Sequence, residues 1–189
     1  MEEQSPIVDK TIYAGRPLSE EGRLEKELAV YRVLDELGIS YLRVDHAPIY
    51  TVEGCDEIDR LLHMTICKNL FLCNSQKTKF YLLLMPGTKR FVTREFCRKI
   101  ESPRLSFAPE EYMERFLDIA PGSVSILGVM NDRENRVQLY IDEDVLKEEY
   151  LGCHPCINTS SLKLPLKDVL EKFLPYVHHD YRTVQLDWQ

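Results

Sequence analysis

No stretch of this 189-residue chain comes near the ~20 consecutive apolar residues that a membrane-spanning helix needs. The opening residues, Met1-Glu2-Glu3-Gln4-Ser5, lack the basic-then-apolar pattern of a secretory signal. A Walker phosphate loop, a Gly-x-Gly-x-x-Gly fingerprint and a His-Glu-x-x-His zincin helix are all missing, as is a Gly-x-Ser-x-Gly nucleophile elbow. There is no repeat, no low-complexity tract and no linker that would split the chain. The six cysteines are scattered, and a chain with 44% hydrophobic residues can bury a core without covalent staples. They are therefore expected to be free thiols of a cytoplasmic protein. These absences exclude a membrane span, a secreted disulfide scaffold and the commonest nucleotide-hydrolase and metalloprotease signatures.

What is present is unevenly charged. The net charge is −7, which argues against broad, nonspecific nucleic-acid binding. Between Lys77 and Arg104, however, eight basic residues face two acidic ones, a net of +6, leaving −13 for the rest of the chain. A local basic face on an acidic protein suits the docking of one shaped polyanion; it is equally an ordinary solvated surface.

Hydrophobic spacing lays out the elements. Leu24, Leu28, Tyr31 and Leu34 recur at helical intervals, with Ser19 as the expected cap and Gly38 as the stop. Tyr41–Val44 reads as a strand, and Thr51 as the cap of a helix through Leu62. Leu70–Cys73 and Phe80–Met85 read as strands, the second closed by Pro86-Gly87. Thr93–Ile100 and a segment opened by Pro109 read as short helices. Val137, Leu139 and Ile141 alternate as in a half-buried strand. Asp142–Tyr150 and Pro165–Leu174 complete the expected helices. Residues 1–20 read as an N-terminal extension, 21–176 as one mixed α/β domain and 177–189 as a polar, aromatic tail.

Three segments carry candidate chemistry. In Cys67-Lys68-Asn69-Leu70-Phe71-Leu72, a lysine and an amide stand directly before a buried strand, so packing would fix the charge at the rim of a pocket. Pro121-Gly122-Ser123-Val124-Ser125 is a turn whose glycine lets the backbone approach a ligand and whose hydroxyls, on Ser123 and Ser125, could line it. Gly152-Cys153-His154-Pro155-Cys156-Ile157-Asn158-Thr159 combines a histidine with the amide of Asn158. Each has a plainer explanation: a surface lysine, a strand-connecting turn, a satisfied histidine. Cys153 and Cys156 also form a Cys-x-x-Cys pair, which serves redox exchange, zinc ligation or nothing beyond packing.

Taken together, these segments, with Asn131-Asp132, resemble the YbaK/ProX family of prolyl-tRNA editing domains, also known as aminoacyl-tRNA deacylases or INS-domain proteins. The resemblance covers roughly residues 24–176 and is strongest to freestanding members that clear alanine mischarged onto tRNA(Pro). It implies a single α/β domain with a largely antiparallel, barrel-like sheet surrounded by short helices. It implies hydrolysis of the ester linking a wrong amino acid to the terminal adenosine of tRNA, without cofactor or metal. Lys68 would hold the phosphate near that adenosine, with Asn69 beside it. His154 would contact the aminoacyl end, Gly122 would open the loop that orients the ester, and Thr51 would head the helix in front of the site; Ser123, Ser125 and Asn158 complete the expected substrate contacts. The implied partners are the acceptor end of tRNA(Pro) and prolyl-tRNA synthetase, with no membrane; the oligomeric state is left open.

The chain departs from the family pattern at Ile126, where proline is usual, at Gly54, where glutamate is usual, and at Cys153, where a bulky apolar residue is usual. Three alternatives stand beside the editing reading: an editing-like module that binds tRNA or a synthetase with little turnover, a zinc or thiol redox protein built on Cys153 and Cys156, and a hydrolase of small aminoacyl esters. No serine or cysteine nucleophile with a placed base is evident. A noncovalent route is expected, in which Lys68 anchors phosphate, backbone N–H groups at Gly122–Ser125 receive the carbonyl oxygen, and the ribose hydroxyl beside the ester directs water.

Overall fold

The computed structural model describes residues 8–49 and 55–188. In chain order its strands are β1 (Tyr13–Ala14), β2 (Leu42–Asp45), β3 (Lys68–Asn74), β4 (Phe80–Met85), β5 (Leu105–Phe107), β6 (Val137–Asp142), β7 (Tyr150–Cys153), β8 (Ser160–Pro165) and β9 (Tyr181–Val184). The helices α1 (Glu25–Glu36), α2 (Asp56–Leu62), α3 (Thr93–Lys99) and α4 (Glu110–Leu117) lie between them, with a 3-10 helix over Ile126–Asn131. A final helical run, interrupted by π-type geometry over Val169–Phe173, joins β8 to β9.

All six residues of β4 are buried, which demands cover on both faces. Leu82 and Leu84 point with Phe71, Phe80, Leu139 and Ile141 into the main core, where α1, α4 and the inner face of β7 and β8 meet them. Tyr81, Leu83 and Met85 point the other way, against Phe96 of α3, Tyr140, and Val184 and Leu186 of the C-terminal segment. A smaller cluster, with Val44, Ile58, Leu62 and Ile66, seats α2 on β2.

No barrel forms. The strands divide into an antiparallel sheet of order β1-β2-β8-β7 and a mixed sheet of order β5-β3-β4-β6-β9. In the mixed sheet β4 pairs with β6, and β6 with β9, in parallel. The reason is connectivity: the chain leaves β4, runs through α3, β5 and α4, and re-enters beside it in the same direction, as a long crossover dictates. Closure would need continuous ladders between the sheets, and only an isolated bridge, Ile66 with Gly152, joins them among the described residues.

Other local expectations shift for identifiable reasons. The first helix begins at Glu25 rather than near Ser19, because Gly22 turns the chain at φ +76°. In place of a helix over Asp142–Tyr150 there is a single 3-10 turn, Val145–Lys147, and Tyr150 starts a strand. The tail contributes β9, and Tyr13–Ala14 pairs with β2. The basic stretch is not one face. Lys77 and Lys79 sit at the β3–β4 turn, at the far end of β3 from Lys68, while Lys89 is fully buried. Arg90, Arg94, Arg98, Lys99 and Arg104 remain exposed along and around α3. Expected capping of α2 by Thr51, and the departure at Gly54, lie outside the described residues.

The bridge between the sheets creates the site. Cys67 N–H donates to Gly152 O at 3.1 Å, which brings the start of β3 against the end of β7. A Cβ on Gly152 would lie 2.0 Å from the Met64 terminal methyl and 3.0 Å from Ile66 Cα, so any other residue would have to push the Met64 tip aside and crowd the Ile66 backbone. Gly87 lies on the same backbone, where an added Cβ would meet Ile66 O at 2.2 Å.

Candidate active site

Lys68 and His154, 86 positions apart in sequence, line one open cavity of about 230 Å³ together with Asn69, Gly122, Val124 and Asp59. Lys68 opens β3, half-buried, and its ammonium donates to Lys89 O at 2.7 Å. Among the described residues it forms no ion pair, so its charge is uncompensated and two N–H bonds remain for an anion.

Asn69 acts on the loop. Its Nδ2 donates to Cys67 O at 3.2 Å, and its Oδ1 accepts from Ile126 N–H at 2.8 Å. Proline at 126 has no N–H to give. The isoleucine therefore ties the loop to β3 by a hydrogen bond where proline would stiffen it covalently. Gly122, at φ +87°, turns the loop toward the cavity, and the N–H groups of Gly122 and Val124 have no acceptor among the described residues.

His154 is held by geometry that fixes its tautomer. Nδ1 lies 2.8 Å from the carbonyl oxygen of Ser160, so it carries the proton and donates. Nε2 is left as a bare acceptor. Burial, with exposure of only 9%, pushes the imidazole down to about 4, so it is neutral at pH 7. Behind it Ser161 Oγ stands 2.9 Å from His46 Nε2 and 3.4 Å from His154 Nδ1, and the two rings lie 5.9 Å apart. Burial holds His46 below its usual range as well.

Asp59, on α2, escaped the sequence reading because an acidic residue on a short helix looks like any solvated charge. One of its oxygens accepts from Ile66 N–H at 3.0 Å, and burial raises the carboxyl to about 6. Its Asp-x₆-Ile spacing to the sheet junction carried no recognisable signal.

The remaining expected contacts fall elsewhere. Ser123 Oγ donates to Ala120 O at 3.0 Å, and Ser125 caps the 3-10 helix by accepting from Leu127 N–H at 3.2 Å. Both shape the loop from behind. Asn158 lies in the turn after His154 and does not line the cavity. Asp132 holds the turn before β6, accepting from Arg136 and Val137 N–H at 2.9 and 2.8 Å, while Asn131 Nδ2 donates to Leu117 O at 2.9 Å. Thr51 lies outside the described residues.

The cysteine reading finds no supporting geometry. Cys153 and Cys156 are fully buried and free, and burial raises both thiols, Cys156 to about 12 and Cys153 further. A protonated thiol is a poor nucleophile and a poor metal ligand. Among the described residues no group of three or more His, Cys, Asp or Glu side chains is arranged to hold a metal ion. No helix among them is long and apolar enough to cross a membrane.

The chain is similar to known proteins over most of its length. Residues 46–172 match the model of the aminoacyl-tRNA editing domain. The prolyl-tRNA editing protein ProX of Acetoanaerobium sticklandii is 31% identical over 86% of this chain and 99% of its own length. A prolyl-tRNA synthetase associated domain-containing protein of Danio rerio is 26% identical over 94% of this chain and 95% of its own. Among solved structures, a candidate trans-editing enzyme for prolyl tRNA synthetase shares the fold, with a TM-score of 0.61 at 16% identity, covering 87% of this chain and 99% of that one. This chain belongs to the aminoacyl-tRNA editing domain family, in the YbaK/ProX-like group related to prolyl-tRNA synthetase associated proteins.

Proposed function

We propose that this protein is a trans-acting deacylase that hydrolyses mischarged tRNA(Pro), with alanine as the amino acid removed. The observation that carries the reading is the meeting of Lys68, Gly122 and His154 on one small cavity. At about 230 Å³ the cavity is below the ~300–1,000 Å³ of pockets for drug-sized ligands, which suits a small aminoacyl group with part of its ribose.

The uncompensated Lys68 ammonium anchors the phosphate of the terminal nucleotide. The N–H groups of Gly122 and Val124 donate to the developing oxyanion of the ester carbonyl, on a loop held by the Asn69–Ile126 hydrogen bond. The neutral His154 Nε2 is too weak a base at about 4 to take a proton from water at pH 7, but it accepts a hydrogen bond from the substrate α-ammonium. Asp59, at about 6, is better matched to receive the proton of the attacking water. The water adds to the carbonyl carbon, the C–O bond to ribose breaks, and the ribose oxygen leaves with a proton, assisted by the neighbouring hydroxyl. No acyl-enzyme forms in this scheme. Proline is refused by size, since a difference of one methylene in an apolar pocket gives only ~10–200-fold discrimination.

The test is deacylation of alanyl-, cysteinyl- and prolyl-tRNA(Pro) by the wild type and Lys68→Ala. Alanyl-tRNA(Pro) should be cleaved and prolyl-tRNA(Pro) spared, with Lys68→Ala slower by roughly 100-fold or more. Equal cleavage of both substrates, or near-full activity of the variant, would overturn the reading.

A further inference from the structure

A second cavity, of about 440 Å³, opens beside the first, and Cys67 lines both. Its walls differ in kind from those of the candidate active site. Two aromatic residues, Trp188 and Tyr150, stand in it at 61% and 41% exposure. Neither ring is loose. Trp188 Nε1–H donates to Asp144 Oδ2 at 2.8 Å, and its ring lies over Lys89 Nζ at 4.8 Å. Tyr150 has Lys163 Nζ over its ring at 4.5 Å, and that ammonium is itself fixed by donating to Leu62 O at 2.8 Å. Flat apolar surfaces held in this way offer stacking at little cost in side-chain entropy.

The charges in this cavity select what can enter. Glu148 and Glu149 line it, and Asp144 is already occupied by Lys89, Lys147 and Trp188. Carboxylates repel a phosphate, and they accept hydrogen bonds from an exocyclic amine. The group that combines an uncharged stacking face with such an amine is cytosine or adenine. Lys163 inside the cavity and Lys68 across Cys67 each donate to a neutral carbonyl and pair with no carboxylate among the described residues, so the phosphates flanking a bound base have an ammonium on either side.

We propose that this second cavity binds an unpaired nucleobase bearing an exocyclic amine, stacked on Trp188 and Tyr150, as the anchor for the single-stranded end of the substrate. It builds on the proposed function, since a tRNA ends in unpaired cytidines and an adenosine, but its test needs no turnover. Trp188 is the sole tryptophan of the chain, so its fluorescence reports this cavity alone. The trinucleotide CCA should quench it saturably, ribose 5-phosphate should leave it unchanged, and UUU should bind at least about 10-fold more weakly, as expected for a lost base-edge contact. Tyr150→Ala, an exposed position, should weaken CCA binding by roughly 5–100-fold while keeping the reporter. Absence of saturable quenching by CCA at millimolar concentration and low salt overturns the proposal, as do equal responses to CCA and UUU or an unaltered affinity in Tyr150→Ala. Quenching by CCA without deacylation of any tRNA would leave the base site standing and remove the hydrolase reading; deacylation without quenching would do the reverse.

Discussion

Lys68 and Lys89 stand 21 residues apart and touch through one hydrogen bond, yet their surroundings are opposite. The Lys89 ammonium is fully buried and caged, 2.9 Å from Asp142 Oδ2, 2.7 Å from Asp144 Oδ2 and 2.7 Å from Leu186 O. Every donor has a partner, so nothing remains to offer a ligand. The Lys68 ammonium donates to one neutral carbonyl, has no carboxylate against it among the described residues, and opens on a cavity. A buried lysine survives in a fold only with its charges matched. Among the described residues the Lys68 ammonium has no such match, which leaves two of its N–H bonds free at the cavity rim. The caged lysine also serves the other, since its own carbonyl is the one that docks Lys68.

The sharpest way to break this contrast is to remove the cage. Lys89→Ala leaves Asp142 buried and unpaired, so it should cost about 3–5 kcal/mol and lower Tm by roughly 10 °C. Lys68→Ala should keep its Tm within about 2 °C and lose activity instead; calorimetry on both variants reads this directly. If Lys68→Ala were the one that melted, the assignment of roles would be reversed.

A smaller effect separates the two ends of the cavity by pH. The His154 imidazole sits at about 4 in the folded protein against 6.5 in the unfolded chain. Folding therefore resists its protonation, and its full contribution is present above pH 6.5 and lost as pH falls through 4. Between pH 7 and pH 3.5 the wild type should lose about 3 kcal/mol more than His154→Gln in urea titrations. An identical loss in the two proteins would show that the ring is not buried in neutral form.

Gly152→Ala tests the junction. Its methyl must displace Met64 and press on the Ile66 backbone, at a cost of roughly 1–3 kcal/mol in chemical denaturation. Deacylation should fall further than stability requires, because the two halves of the cavity part at this point. The mildest expected change is in a rate profile. Asp59 is raised to about 6, so activity should decline as pH drops through 6, and Asp59→Asn should be several-fold slower at pH 7 and flat across that range. A declining limb that survives in Asp59→Asn would assign the proton to another group.

The legible parts of this protein were local. Phe80–Met85 is a strand in any reading, because six apolar residues bracketed by turn signals have nowhere else to go. Gly38 ends α1 at φ +62°, and Pro109 starts α4, since one residue frees φ and the other fixes it. Lys68, Gly122 and His154 stood out as candidates because of their residue types beside a core strand, a turn and a proline, and all three line one cavity. Asp59 did not stand out, since its shifted carboxyl is a product of burial by chain segments far from it in sequence. Lys89 was misread as part of a basic face for the same reason, its carboxylate partners lying 53 and 55 residues away.

The sequence by itself determined the central strands and the first four helices, the free thiols and the identity of the groups available for chemistry, because propensity, turn geometry and side-chain type act over a few residues. The tertiary structure alone decided that two sheets form instead of a barrel, that Cys67 and Gly152 bond across them, and that one lysine is neutralised while the other lines a cavity with no carboxylate against it among the described residues. Strand pairing and charge compensation are set by contacts between distant segments, and a linear pattern does not encode which of those contacts will exclude water.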